Sequence, residues 1–375
     1  MRKSSFTQST LKQIKRLVVA ILRHYGYQLS RSSKLSALPD DALFRSLAPG
    51  SSNQNYTIAL VGTSKSGLCG FGKVSQTLYF PKLGYELAKR GVSLVAYRDP
   101  DDALHDIDNH DPARTAFVLV YNEVFQRDEF QRFADLTSHA EFRFYNTPRV
   151  GAIIGDKRAT NAAFLNAGIS VPPMVSAAEV TTSKVFSNAP IGTHAATAII
   201  EVGRPLDVDC YNTCFIDTAH DYKGKSYYVA LRALAVTGTL ISAYVRLRPT
   251  DEAEASVHAS DTPKDPHLIA HFHELLVETN WPRLIKLCKQ IGDVLGPGFY
   301  AHDILPSRET GELYVCETGF KFDDRPYREA LFPISSDLPF SMDHFTIGIA
   351  DVAAEVVAEE CFGLGRLTTP SDKPK

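Results

Sequence analysis

The chain has 375 residues, of which 44% are hydrophobic and 22% charged, a balance typical of globular proteins that excludes a disordered or fibrous chain. Its length predicts two or three packed units. With 40 basic and 43 acidic residues the formal net charge is -3, which argues against a nucleic-acid partner.

Residues 1–55 combine an amphipathic segment with a polar linker. In LKQIKRLVVAILRHYGYQL the apolar residues recur at helical spacing with basic residues between them. The charges interrupt the apolar stretch and no cleavage site follows, so the segment is not a convincing signal peptide. We expect a short helix docked on the body of the protein, with weak peripheral membrane contact as the alternative. Residues 29–55 are rich in Ser, Pro, Asn and Asp and indicate a linker.

The six cysteines are scattered, without a CxxC pair or a zinc-type spacing. Reduced thiols in a cytoplasmic protein are the simplest interpretation.

Residues 56–148 predict an α/β domain with a parallel sheet. Apolar strands in TIALVG, GVSLVAY, TAFVLVY and FRFYN alternate with helical text over 77–90 and 123–136. Short apolar strands that alternate with helices are typical of a parallel sheet covered on both faces.

The stretch GLCGFGKV, residues 67–74, follows the first of these strands and nearly matches a phosphate-binding P-loop. The pattern requires Ser or Thr after the lysine, because that hydroxyl is a magnesium ligand, and Val74 stands there instead. The sequence also shows no clear Walker-B motif, the strand ending in Asp that accompanies a P-loop. A P-loop nucleotide site is therefore not favoured.

Residues 149–365 differ in character, and residues 366–375 form a tail. A helix is predicted from Lys157 to Ala167, and YYVALRALAV and LISAYVRLRP predict a hairpin around a glycine turn. Helical text over 267–294, broken near Trp281, precedes a second antiparallel pair, GFYAHDIL and ELYVCET.

Asp303 and Glu317 lie in the two strands of this second pair. Pairing brings both carboxylates to one end of one sheet face, and hard oxygen ligands so placed suit magnesium that bridges nucleotide phosphates. Solvated or salt-bridged carboxylates are the alternative.

The order of these features resembles the ATP-grasp superfamily of ATP-dependent ligases. The stretch GDKRATNAAFLNAGISVPP, the β-rich region, the HD-strand and the CET-strand follow one another as the family's motifs do, over roughly residues 56–325. The resemblance implies an α/β, ATP-grasp-like fold: an N-terminal parallel-sheet domain, a β-rich lid at about 175–235 and a C-terminal α+β subdomain at about 236–365.

The resemblance also implies roles for individual residues. Lys157 is similar to the family's lysine ahead of the nucleotide pocket, and Asp303 and Glu317 match its magnesium ligands. Arg232 and Arg246 match arginines directed toward the substrate or the terminal phosphates, a task that suits the planar guanidinium. Without the family, these arginines would be interpreted as outward-facing strand residues paired with acids.

Two positions depart from the family pattern. Gly319 replaces the Asn expected two residues after the glutamate, so Asp323 or Asp324 is left to supply that ligand. Asn188 stands where the lid carries a phosphate-binding lysine, and Lys184 or His194 is expected to compensate.

The loop at residues 67–73 takes a different role in this interpretation. The family's N-terminal domain commonly faces the second substrate, and open parallel sheets bind ligands beyond the carboxyl ends of their strands. The backbone of the glycine loop and the Lys73 ammonium are therefore candidates for holding an anionic acceptor. These acceptor-binding candidates are Gly67, Gly70, Gly72 and Lys73.

The function implied is an ATP- and Mg2+-dependent ligase that activates a carboxylate as an acyl phosphate for attack by an amine or another nucleophile. Its substrates would be small molecules or glycan-linked groups, as in surface-polysaccharide or natural-product biosynthesis. A nucleotide-binding protein that has lost the chemistry, and a kinase on the same fold, are the alternatives.

Overall fold

The computed structural model describes residues 55–62, 79–97, 99–121, 131–176, 184–191, 197–252, 257, 262–320, 331–338 and 349–364. The amphipathic N-terminal segment, the linker to residue 54, the glycine-rich loop and the C-terminal tail lie outside these residues.

The first unit is a four-stranded parallel sheet, as expected for residues 56–148. Its strands follow the apolar runs of the sequence and lie in the order β2-β1-β3-β4. They are β1 (Tyr56–Val61), β2 (Val92–Tyr97), β3 (Thr115–Leu119) and β4 (Arg143–Tyr145).

The strands are connected by α1 (Tyr79–Lys89), α2 (Pro100–His105), a 3-10 turn (Ile107–Asn109) and α3 (Ala134–Thr137), and α4 (Pro148–Ile154) follows the last of them. α1 confirms the helix predicted over 77–90. Most of the helix predicted over 123–136 lies outside the described residues, and only its last part is seen as α3.

The second unit begins with α5 (Lys157–Asn166), which confirms the predicted helix, and a small antiparallel sheet in the order β6-β5-β7. Its strands are β5 (Val185–Asn188), β6 (Ala198–Ile200) and β7 (Tyr211–Cys214). The Asp156 carboxylate caps α5 by accepting the backbone N–H groups of Arg158 and Ala159.

A larger sheet contains both predicted hairpins in the order β10-β9-β11-β12, with β8 also paired to β9. The strands are β8 (Ala219–Tyr222), β9 (Lys225–Val236), β10 (Thr239–Pro249), β11 (Phe299–Pro306) and β12 (Leu313–Gly319). The division expected at residue 235 between lid and C-terminal subdomain falls at the β9–β10 turn, although both strands share this sheet. The sheets themselves favour a division between β7 and β8.

The remaining elements are α6 (Pro266–Phe272), a π-helical turn (His273–Glu278), α7 (Trp281–Leu295), a 3-10 helix (Phe332–Asp337) and α8 (Ile349–Phe362). Pro282 lies in the first turn of α7, where its missing N–H costs no helical bond, so the predicted break near Trp281 is confirmed. Within the described parts of the chain no helix is long and apolar enough to cross a membrane.

α7 lies directly against the turn between β9 and β10. A Cβ placed on Gly292 would come 2.5 Å from the Gly238 Cα, which no real side chain could accept. Gly238 also has φ +82°, in the left-handed region that glycine adopts at little cost. Glycine at both positions therefore allows the helix to pack on the hairpin.

Asn146 joins the parallel sheet to the larger sheet. Its side chain donates to the Leu119 carbonyl at 3.0 Å and accepts the Phe299 N–H at 2.8 Å. Its backbone N–H donates to the Pro297 carbonyl, and its own carbonyl accepts the Tyr121 hydroxyl at 2.7 Å. The residue is 4% exposed with φ +58°. The carboxyl end of β3 is thereby fixed against the start of β11.

α1 and α8 make a second junction between the two regions. The Arg90 guanidinium, 6% exposed, lies between Glu86 of α1 and Asp351 of α8, at 3.8 and 2.8 Å. The rings of Tyr56 and Phe362 contact each other at 4.6 Å between centroids. One apolar core also continues from the parallel sheet into the larger sheet.

Replacing Asn146 by alanine should lower the free energy of unfolding by about 3 kcal/mol, measured by urea denaturation. The change leaves the buried Phe299 N–H unpaired and places alanine, which lacks the local hydrogen bonding of asparagine, in the left-handed region. Asn146→Gly should lose less, because it removes the strain. Asn109→Ala, at an exposed asparagine, is the matched control, and an equal loss in both alanine variants would contradict this role.

Candidate active site

Arg232, Asp303 and Glu317 form one row across three neighbouring strands. In the strand register Asp303 of β11 lies opposite both Arg232 of β9 and Glu317 of β12. Directly opposed residues share a sheet face, so the three side chains project to the same side. Tyr244 of β10 continues the row beyond Arg232.

A β-bulge in β12 determines which face Glu317 occupies. From the turn inward the pairing is regular as far as Ile304 with Val315, and then shifts so that Asp303 faces Glu317. If the regular pairing continued without a bulge, Asp303 would face Cys316, and Glu317 would project to the opposite face, where Ile304 and Val315 are buried. The bulge therefore brings the two carboxylates together.

Two arginines contact the Asp303 carboxylate. Arg232 Nη1 lies 2.8 Å from Oδ1 and 2.7 Å from Oδ2, and Arg246 Nη1 lies 3.1 Å from Oδ1. The side chains are largely buried, with exposed fractions of 10% for Arg232, 14% for Arg246 and 20% for Asp303. The prediction that both arginines and Asp303 belong to one site remains a functional proposal, but the structure does bring them into contact.

The charges in this cluster support one another. Burial alone would raise the pKa of the Asp303 carboxyl, but Arg232 and Arg246 outweigh it and hold that pKa below its usual range. Burial alone would lower the pKa of Arg232, and the Asp303 carboxylate outweighs it in turn. The Asp303 carboxylate and the Arg232 guanidinium are therefore both charged at neutral pH.

Lys157 and Tyr211 approach the cluster from α5 and β7. Burial, together with the nearby Glu317 and Asp303 carboxylates, raises the pKa of the Cys316 thiol to about 12 against the opposing effect of the Lys157 ammonium. Burial raises the pKa of Tyr211, whose hydroxyl accepts a hydrogen bond from Asn161 Nδ2 at 2.9 Å, and the nearby Cys316 and Glu317 side chains raise it further. The first residue of α5 thus lies within electrostatic range of Asp303 and Glu317, which we call the acidic row.

The small sheet contributes a lysine near the same face. Lys184 Nζ pairs with Glu201 at 3.0 Å, which raises the pKa of the lysine, with smaller contributions from Tyr228 and Asp217. Tyr228 lies four residues before Arg232 in β9, hence on the same face. Its ring also lies 6.1 Å from that of Phe215, just after β7.

The other lid candidates are less informative. Asn188, which stands where the family has a lysine, ends β5 half-buried, and its Oδ1 has no hydrogen-bond partner among the described residues. His194 lies outside the described residues, so its predicted compensating role is untested.

The acidic pair fits a magnesium ion bound together with a nucleotide. Magnesium in such sites is bound through one or two carboxylates plus substrate phosphates, and Asp303 and Glu317 supply two opposed carboxylates. Within the described residues there is no group of three or more His, Cys, Asp and Glu side chains that could hold a metal alone. Asp323 and Asp324, the suggested replacements for the missing asparagine, lie outside them.

The carboxyl edge of the parallel sheet adjoins this site. The ring of Tyr121, after β3, stacks on Phe320 at 5.1 Å between centroids, and Phe320 follows directly on β12. The Gly62 N–H, after β1, donates to the Tyr97 carbonyl at 3.1 Å. The loop that β1 leads into, with Gly67, Gly70, Gly72 and Lys73, lies outside the described residues.

No family model matches the chain, and no curated protein matches it. Among solved structures, it is similar to a RimK domain ATP-grasp protein from Sphaerobacter thermophilus, with 15% identity, 80% of this chain and 99% of that chain covered, and a TM-score of 0.44. It is also similar to D-alanine–D-alanine ligase from Bacillus anthracis, with 11% identity, 81% of this chain and 99% of that chain covered, and a TM-score of 0.46. A third similar structure is ATP-grasp ligase PsnB bound to a precursor variant, Mg and ADP, with 12% identity, 84% of this chain and 100% of that chain covered, and a TM-score of 0.44.

The expected order of a parallel sheet, a small antiparallel sheet and a larger sheet with the acidic pair is confirmed. The chain is similar to these ATP-grasp structures over about four fifths of its length. The identities are 15% or lower and the TM-scores are below 0.5, so this similarity assigns neither a family nor a residue role to the chain. The role of each residue has to follow from this chain's own geometry.

Asp303→Asn should lower the free energy of unfolding by about 3 kcal/mol, because it leaves two largely buried guanidinium groups without their shared counter-charge. Asp221→Asn is the matched control, since Asp221 pairs with Arg308 at 3.1 Å where both side chains are exposed. Urea unfolding should show less than about 1 kcal/mol for that control. Similar losses in the two variants would contradict the central position given to Asp303.

Proposed function

We propose that this protein is an ATP- and magnesium-dependent ligase that activates a carboxylate for attack by an amine or another nucleophile. The observation that carries the proposal is the row of Arg232, Asp303 and Glu317 across three strands, with Arg246 joined to Asp303 from a fourth. Two carboxylates suited to a hard cation and two arginines suited to phosphate thus occupy one partly open sheet face.

The arginines would act on the phosphoryl group in transfer. Arg246 directs Nη1 toward Asp303 at 3.1 Å, and its side chain remains 14% exposed, so a ligand oxygen could reach the exposed part of the guanidinium. A guanidinium already fixed by Asp303 needs little reorganisation to stabilise charge that develops on the phosphoryl oxygens. Arg232 would hold the opposite side of the same carboxylate and keep its orientation.

Nucleotide binding would use the surrounding charges. Asp303 and Glu317 would hold magnesium, which when bound supplies positive charge to the phosphate oxygens. Lys157 at the start of α5 and Lys184 on the small sheet would bind the nucleotide from the other side. Lys184 would have to exchange its exposed partner Glu201 for a phosphate oxygen, a small cost because surface ion pairs are weak.

The proposed chemistry has two steps. A carboxylate oxygen of the substrate attacks the γ-phosphorus of ATP while the bond to the bridging oxygen of ADP breaks, which gives an acyl phosphate. An amine then attacks the acyl carbon, inorganic phosphate leaves, and the nitrogen releases a proton to complete the amide. Water has to be excluded between these steps, since it would hydrolyse the acyl phosphate.

The second substrate would approach from the carboxyl edge of the parallel sheet. Tyr121 there already contacts Phe320 beside the acidic row. Lys73 and the glycine loop after β1 are the candidates for holding an anionic acceptor, whether a free small molecule or a glycan-linked group. This edge is a suitable location for the glycine loop, because β1, which leads into the loop, pairs with β3, which leads to Tyr121.

A nucleotide-binding protein without ligase chemistry is the second candidate. Arg232 contacts both oxygens of Asp303, so a cation must compete with a guanidinium for that ligand. Gly319 also supplies no side chain where the family has an asparagine. Under this candidate the protein binds ATP, yet releases no ADP when carboxylate and amine acceptors are presented together.

Glu317→Gln should weaken binding of a non-hydrolysable ATP analogue in magnesium by about tenfold and leave binding in EDTA unchanged. The amide preserves shape and removes the charge that a hard cation requires. Isothermal titration with and without magnesium measures both values. Glu312→Gln, on a half-exposed glutamate just before β12, is the control. Equal affinities for Glu317→Gln and the unaltered protein in magnesium would exclude this metal site.

Arg246→Ala should reduce the preference for a non-hydrolysable ATP analogue over ADP by about tenfold, because a charge-assisted hydrogen bond to the terminal phosphate is lost. The comparison needs no knowledge of the acceptor. Arg283→Ala, which removes an exposed arginine of α7, should leave the ratio unchanged. If Arg246→Ala weakens ATP analogue and ADP binding equally, the arginine does not contact the terminal phosphate.

A further inference from the structure

The position of Glu317 depends on a choice between two registers. The regular register continues the pairs nearest the turn and would place His302 opposite Glu317 and Asp303 opposite Cys316. The bulged register pairs His302 with Thr318 and Asp303 with Glu317. The two differ by one residue, and this shift moves each side chain of β12 beyond Cys316 to the other face.

A hydrogen bond on the opposite face of the sheet is possible only in the bulged register. His302 Nδ1 and Thr318 Oγ1 lie 2.9 Å apart, and the two residues are 0% and 2% exposed. Thr318 is the only hydrogen-bond partner that the described residues provide for the imidazole, whose Nε2 has none. In the regular register Thr318 would move away from His302, and this buried ring would lose that partner.

The bond lies where the backbone ladder is least able to fix the register. A bulge leaves one residue unpaired and disrupts the ladder locally. A buried hydrogen bond across the strands immediately beyond the bulge supplies the missing specificity, because leaving the imidazole without a partner is costly there. The neighbours His302 and Asp303 therefore face opposite sides, one fixing the register and one contributing to the site.

We propose that the His302–Thr318 hydrogen bond keeps the bulge at Cys316 and thereby holds Glu317 opposite Asp303. His302 and Thr318 are positioning residues that contact neither nucleotide nor metal. The inference rests on the proposed function only for its effect on magnesium, since the register itself is a property of the protein without ligands.

The first experiment measures backbone hydrogen exchange in β11 and β12 of the protein without nucleotide. His302→Phe and Thr318→Val should each accelerate exchange severalfold over residues 301–306 and 313–319. Thr318→Ser, which keeps the hydroxyl, should restore slow exchange. Ile291→Val, a buried change in α7, controls for a general loss of stability. Unchanged exchange in the two strands, or the same change in Ile291→Val, overturns the proposal.

The second experiment measures affinity for a non-hydrolysable ATP analogue with magnesium and with EDTA. Thr318→Val should weaken binding about tenfold in magnesium alone, a size typical of residues that orient metal ligands. The double variant His302→Phe/Thr318→Val should be no weaker than the worse single variant, because both remove the same bond. If the losses of affinity in the two single variants add up in the double variant, the two residues do not act through one bond and the proposal is wrong. If the unaltered protein shows no magnesium-dependent binding, the proposed function fails, and the exchange result still decides the register.

Discussion

The hydrogen bonds of Asn146 are the constraint on which the relative placement of the two sheets depends. One buried residue with a left-handed backbone bonds to the end of β3, to the start of β11 and to Tyr121. The helices α1 and α8 reinforce the junction through Arg90 and Asp351. Because β11 carries Asp303, the same junction determines how far the acidic row lies from the carboxyl edge of the parallel sheet.

The acidic row is a balance of charges that the protein maintains by itself. Asp303 has two guanidinium partners on adjacent strands, and neither arginine needs a ligand to remain in place. A cation that binds there changes partners inside an existing cluster, which costs less than exposing a buried carboxylate. The arrangement also explains why Asp303 stays ionised in spite of its burial.

The sequence allowed much of the fold to be predicted, because it depends on local patterns: apolar strands, the glycine turn at Gly238 and the helix boundary at Pro282. The pairing of Asp303 with Glu317 was predicted only in outline. Counting back from the turn in regular register places Glu317 on the wrong face, and no residue type marks Cys316 as a bulge. The buried pair of His302 and Thr318 was also missed, because the two residues face each other only in the bulged register, which the sequence does not reveal.

The bulge at Cys316 divides the β11–β12 hairpin into two parts with different tolerance to evolutionary change. On the turn side, the pairs from Ile304 with Val315 to Pro306 with Leu313 are regular. Relatives can therefore differ by insertions or replacements in the exposed connection between these strands without moving the Asp303 or Glu317 side chain. On the other side, a single inserted or deleted residue changes which face every later side chain occupies. Divergence in this hairpin should therefore be confined to its tip.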